Sequence, residues 1–144
     1  SKLVYFYFSN ISNNLGEGAF RWIKQFVEQI PIPKIEQNRQ KPFKILVDYI
    51  IYLKKEKKEN YIIEFFEWVI DIAVYELYFK EELHLKGFGI LEVLESELIP
   101  FENSFETIER VYKKLSDKNH KVAYNVNFID TLDIVKTIEN KWLK

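Results

Sequence analysis

The chain has no cysteine and no methionine, and its 144 residues hold only four glycines, four prolines and two histidines. Without cysteine there is no disulfide frame, no thiolate metal site and no cysteine nucleophile, in keeping with a cytosolic setting. No apolar run approaches the roughly 18 residues of a membrane span. Lys2 to Phe8 is too short and too aromatic for a secretory h-region. A soluble, cytoplasmic protein is expected. The start at Ser1, with no methionine anywhere, reads as a piece of a longer protein whose earlier part is missing.

Aromatic residues are abundant: 12 Phe, 9 Tyr and 3 Trp make up 17% of the chain, within a hydrophobic fraction of 47%. That excludes a disordered tail and predicts a large core or a partner-facing surface. The net charge of −1 conceals an asymmetry. Residues 1–59 carry 11 Lys/Arg against 6 Asp/Glu, and residues 60–144 carry 10 against 16. One basic half suits an anionic partner such as nucleic acid, although a run such as Lys54 to Lys58 is by itself only a solvated helix end.

Two of the four glycines and three of the four prolines fall between Gly16 and Ile50, which marks a join between parts. Residues 3–11, "LVYFYFSNI", are short and apolar enough for strand or helix; a helix ending near Ser9 and Asn10 is preferred. "SNNLGEG" reads as a loop and "AFRWI" as a short strand, and the prolines hold Ile30 to Pro33 extended. From Pro42, taken as a first-turn proline, Phe43, Leu46, Ile50 and Leu53 form a helical seam widened by Val47 and Ile51.

A second helix is predicted from about Tyr61 to Leu85, with two apolar stripes that place it between two neighbours. Gly87 and Gly89 end it, and Phe88 to Leu98 forms a shorter helix closed by Ile99-Pro100. Asn103 and Glu106 make a capping box for Phe105 to Leu115. "SDKNH" is a loop, followed by one or two helices with Leu132, Val135, Ile138 and Trp142 on the last apolar face. The fold class is mainly α: a small mixed remnant with its extended proline strap over 1–33, then a helical bundle over 34–144.

Catalytic chemistry finds little footing. His84 follows Lys80 and Glu81 on one helix face, but a Glu-x-x-His metal site needs a second such pair, so a helix-end histidine is the better reading. Asp130 and Asp133, and Glu92, Glu95 and Glu97, lie on polar faces as solvated carboxylates. Gly16-Glu17-Gly18 lacks the third glycine and the preceding strand of a phosphate loop. Nucleic-acid binding does better. Asn13, Asn14, Arg21, Lys24 and Gln25 bring base-reading and phosphate-binding side chains to a flexible glycine loop, and Lys34 and Arg39 add field. A surface turn with a buried Trp22 explains the same residues about equally well.

At "LVYFYFSNIS…GEGAFRWIKQFVEQIPIPKI" the chain resembles the TaqI-like C-terminal specificity domain of adenine-specific DNA methyltransferases and fused type IIG restriction–modification enzymes. Family members show "LINFYF..IS", a glycine loop, an aromatic and basic stretch and "lPIPki". Their "eqkPFieLVdkIL" is matched by Gln40 to Leu53, their "iDelVYeLYgLteEE" by Val69 to His84, and their "lsdpnHpvr.nl" by "LSDKNHKVAYNV". The proline step and helix are also similar to the end of recognition domains in type I specificity subunits. The family's glycine after "LY" is Phe79 here, which predicts that the helix runs on where relatives turn.

The resemblance implies the tail of a DNA target recognition domain before Pro31, and a helical module that holds the reader against the rest of the enzyme. The parent would be an S-adenosylmethionine-dependent adenine-N6 methyltransferase in a prokaryotic cytoplasm, with Mg2+ where a nuclease is fused. Neither the Asn-Pro-Pro-Tyr motif, nor a cofactor loop, nor a nuclease pattern occurs in this chain, so no catalytic residue or cofactor is assigned to it. Expected partners are double-stranded DNA, the parent's methyltransferase domain and, through bare apolar helix faces, a second copy. The rival expectation is a structural docking module without direct DNA contact.

Overall fold

In the computed structural model, residues 1–11 and 27–142 are described, the last two for backbone only. They contain eight α-helices and no strand: α1 Lys2–Ile11, α2 Gln37–Lys55, α3 Asn60–Tyr78, α4 Lys80–Leu85, α5 Leu91–Glu97, α6 Phe105–Leu115, α7 Lys121–Phe128 and α8 Asp133–Trp142, with a 3-10 turn at Ile129–Thr131. The fold is mainly α. The strand read at "AFRWI" lies outside the described residues. The chain divides into two compact units, one of Ser1–Pro33 with Asp130–Lys144 and one of Lys34–Ile129. The segment from Asp130 thus groups with the N-terminal residues rather than with the helices that precede it.

In the first unit α1 lies against α8. Leu3 and Phe8 of α1 and Val135 and Ile138 of α8 are buried, as is Leu132 just before α8. Lys2 Nζ donates to both carboxylate oxygens of Glu139, at 2.9 and 3.1 Å. Near the end of α1, Ser9 Oγ and Asn10 Nδ2 both donate to the Phe6 carbonyl, at 2.7 and 2.6 Å. Tyr7 Oη reaches the Gln29 carbonyl at 3.0 Å. Residues 31–36 form no regular element, as the two prolines dictate.

The second unit is built around α3, which meets α2, α4 and α7. That position explains its two apolar stripes: Ile62, Phe66, Val69 and Ala73 are buried, and so are Ile72 and Tyr75. The helix α2 begins five residues before the sequence expectation, so Pro42 sits inside it rather than in its first turn. Gln37 to Lys41 are flexible, helix-compatible side chains, and the amides of Arg39 and Gln40 bond the Glu36 carbonyl at 3.0 and 3.2 Å. Pro42 gives up one helical hydrogen bond and in exchange buries its ring.

The α2 seam also turns the other way. Ile45 and Tyr49 are buried, while Val47 and Ile51 are 44% and 59% exposed. The bulk of Tyr49 decides this. Its ring meets Phe66 edge-on at 5.5 Å and Phe101 at 6.2 Å, and its hydroxyl donates to the Ile99 carbonyl. From there a ladder of rings runs outward: Phe66 to Tyr112 at 6.4 Å, Tyr112 to Phe65 at 5.2 Å and Tyr112 to Tyr61 at 5.7 Å.

Two local expectations fail for reasons visible in the backbone. Asn103 has φ +55°, a left-handed conformation no N-cap can hold, so Ser104 caps α6 with extended backbone and no side-chain bond. Phe79, with φ −126° and ψ +37°, interrupts the long helix expected to run on to Leu85.

Burial pushes the Tyr49 phenol up to about 12, against the smaller opposing pulls of the Ile99 hydrogen bond and the Arg110 charge. Tyr49→Phe keeps the ring and removes the bond, for a loss of about 1 kcal/mol near neutrality. In the unfolded chain the phenol titrates at its ordinary value of 10.0, so between there and about 12 the folded state binds more protons. Wild-type stability therefore falls over that window relative to Tyr49→Phe. Urea denaturation of both proteins at stepped alkaline pH measures it.

Candidate functional site

The sequence points to seven residues for DNA contact. Asn13, Asn14, Arg21, Lys24 and Gln25 lie outside the described residues. Lys34 is exposed. Arg39 is partly buried over α5, its Nε 3.9 Å from Glu95 Oε1, beyond hydrogen-bond reach but close enough to lower its effective charge. Glu95 Oε1 is itself buried and has no hydrogen-bond partner among the described residues, so this attraction offsets part of the cost of its burial.

The densest buried polar chemistry lies elsewhere, on α3. The Glu76 side chain is 4% exposed. Its Oε2 accepts from the amides of Ile90 and Leu91 at 2.6 and 2.8 Å, at the start of α5. Its Oε1 lies 2.7 Å from His84 Nε2. Two amides and an imidazole give a buried carboxylate the donors it needs, and the positive end of the α5 dipole adds to them.

This geometry depends on the Phe79 break. Residues eight apart on an unbroken helix stand about 12 Å apart along its axis. Turning the chain at Phe79 brings His84 back over Glu76. The partner of His84 is therefore Glu76, rather than the Glu81 that shares its helix face. Gly89 completes the fit: its φ is +130°, and a Cβ there would meet His84 Nε2 at 2.8 Å. The Gly89 amide donates to Asn125 Oδ1 at 3.0 Å, and Asn125 Nδ2 donates to the Lys121 carbonyl at 2.9 Å, tying α7 to the same joint.

A second polar joint gathers around Glu97, at the end of α5. Its Oε2 lies 2.9 Å from His120 Nε2 and 3.1 Å from Lys114 Nζ. The other ring nitrogen, His120 Nδ1, accepts the Val122 amide at 3.1 Å and caps α7. Burial pushes the Glu97 carboxyl up, but the His120 and Lys114 hydrogen bonds, with the charges behind them, outweigh it and hold the group below its ordinary value.

Sequence reasoning missed Glu76 and Asn125. A signal for each was present: Glu76 continues the stripe Phe66, Val69, Ala73, and Asn125 stands between Val122 and Ile129 at buried spacing. Chemically, the Glu76 joint orients an imidazole whose side chain is 41% exposed. Among the described residues no group of three His, Asp or Glu side chains is placed to hold a metal ion, and no helix is long and apolar enough to cross a membrane. Comparisons with protein-family profiles, with curated proteins and with solved structures found no match.

Two measurements test these joints. Glu76→Ala strands the Ile90 and Leu91 amides in the interior and is expected to cost roughly 3–5 kcal/mol in urea denaturation, against less than half of that for His84→Ala, whose site is open to water. Glu97 has a lowered folded value, so its contribution is full above the ordinary 4.5 and is lost as pH falls through the folded value. The stability gap between wild type and Glu97→Gln is expected to be about 1 kcal/mol near neutrality and to shrink only under acid conditions.

Proposed function

We propose that this chain is the C-terminal part of the DNA sequence-specificity region of a restriction–modification enzyme, whose parent transfers a methyl group to adenine N6. The observation that carries this reading is where the resemblance falls. The buried polar residues Asp71 and Glu76 lie within Val69 to His84, and the half-buried His120 and the buried Asn125 lie within Leu115 to Val126. These are the stretches similar to the family patterns, and those patterns hold an acidic residue at Asp71 and at Glu76, a histidine at His120 and an asparagine at Asn125. A likeness that includes residues joining helices is what kinship of fold produces, since such joints tolerate few substitutions.

In this reading residues 1–33 are the remnant of the reader with its proline strap, and the helical bundle anchors it. S-adenosylmethionine, and Mg2+ where a nuclease is fused, belong to upstream domains of a prokaryotic cytoplasmic parent. Asn13, Asn14, Arg21, Lys24 and Gln25 touch bases or phosphates, and Lys34 and Arg39 supply field. A second reading, a docking module that leaves DNA untouched, is favoured by two observations. Arg39 already faces Glu95, and Val47 and Ile51 present an apolar strip on α2.

Salt titration of the parent enzyme separates the two. On a mixed-sequence duplex at low ionic strength, Arg21→Ala with Lys24→Ala is expected to weaken binding and to reduce the slope of log K against log salt by about 0.9 for each phosphate no longer neutralised. An unchanged affinity and slope would hand the assignment to the docking module.

A further inference from the structure

His120 holds two elements with its two nitrogens. Nδ1 accepts the Val122 amide at 3.1 Å, so in this arrangement it carries no proton. Nε2 faces the Glu97 carboxylate at 2.9 Å, so the proton sits there. Only the neutral ring, in one tautomer, satisfies both contacts. A second proton would set an N–H of the ring against the N–H of Val122, while the contact to Glu97 would become an ion pair.

We propose that His120 is a proton-operated cap: the neutral ring holds the first turn of α7, and the imidazolium lets go of that turn while remaining on Glu97. The surroundings determine which contact survives. Glu97 faces the ring from α5, and Lys114 of α6 shares the same carboxylate oxygen at 3.1 Å. Below, the Asp117 carbonyl takes the His120 amide at 2.8 Å while the Asp117 carboxylate is engaged by the Asn119 amide at 2.9 Å. Lys121 follows on α7 and is exposed. Among the described residues the anion that meets the ring nitrogens is therefore Glu97, whose carboxyl His120 and Lys114 hold below its ordinary value against the effect of burial.

Release propagates along α7. Asn125 sits one turn further on and holds the Gly89 amide, and Gly89 is the residue over which His84 meets Glu76. Charging one imidazole thus weakens the tie between α7 and the Glu76 joint.

Nitrogen-15 spectroscopy of the labelled full chain tests this over a pH series that spans both charge states of the ring. At the upper end His120 is expected to show a protonated Nε2 and a bare Nδ1. As the ring titrates, the Val122 amide is expected to shift in step and to exchange roughly fivefold faster, the weight of one missing N-cap. His120→Asn keeps a capping side chain without a titrating ring, and is expected to fold and to lose the response. A proton on Nδ1 at the upper end, a Val122 amide indifferent to the ring, or a response that survives in His120→Asn would each overturn the proposal.

Discussion

An ionised carboxylate enters a protein interior only if donors travel with it, and Glu76 imposes that condition on the whole second unit. Its three partners, the Ile90 and Leu91 amides and the His84 ring, lie 8 to 15 residues downstream and cannot be reached by a straight helix. The break at Phe79, the left-handed turn at Gly87 and the bare α-carbon of Gly89 are the path that satisfies it. Removing any one of them leaves a buried charge short of a donor, which is more damaging than the absence of an ordinary surface bond.

The two polar joints divide the bundle between them. Glu76 fixes where α5 begins and Glu97 fixes what packs where it ends, so a helix of seven residues, too short to persist alone, is held at both termini by side chains. Asn125 and His120 then place α7 against the same two points. Between them the aromatic contacts of Tyr49, Phe66 and Tyr112 supply bulk and area rather than direction. The joints specify the arrangement and the rings give it cohesion.

The helical character of residues 34–129 was legible because apolar spacing survives translation into structure: Ile62, Phe66, Val69 and Ala73 on α3 and Ile108 and Leu115 on α6 are buried as periodicity requires, while Phe65, Trp68, Phe105 and Tyr112 are half-buried. Less legible were features set by tertiary demand. Pro42 looks like a helix start only when the helix-forming residues before it are ignored, and Phe79, with neither glycine nor proline beside it, carries no local signal for a break. Val47 and Ile51 are as apolar as Ile45, and only the reach of Tyr49 to Ile99 tells which side faces inward. As for the candidate site, His84 and His120 drew notice by scarcity, but their partners are distant in sequence and so invisible to helix-face arguments. Glu76 and Asn125 were readable in principle, as polar residues at apolar positions. The basic residues Arg21 and Lys24 announced themselves by type alone.

The ring ladder on α2, α3 and α6 has a consequence for how such a sequence can change. Tyr112 makes edge contacts with Phe65, Phe66 and Tyr61 at once, so its size and tilt are set by three neighbours. A lone swap at any rung leaves either a hole or a collision. Divergence in this region should therefore proceed through paired exchanges, with one helix gaining volume as the facing helix sheds it, and the traces of that drift would be correlated columns rather than single variable ones.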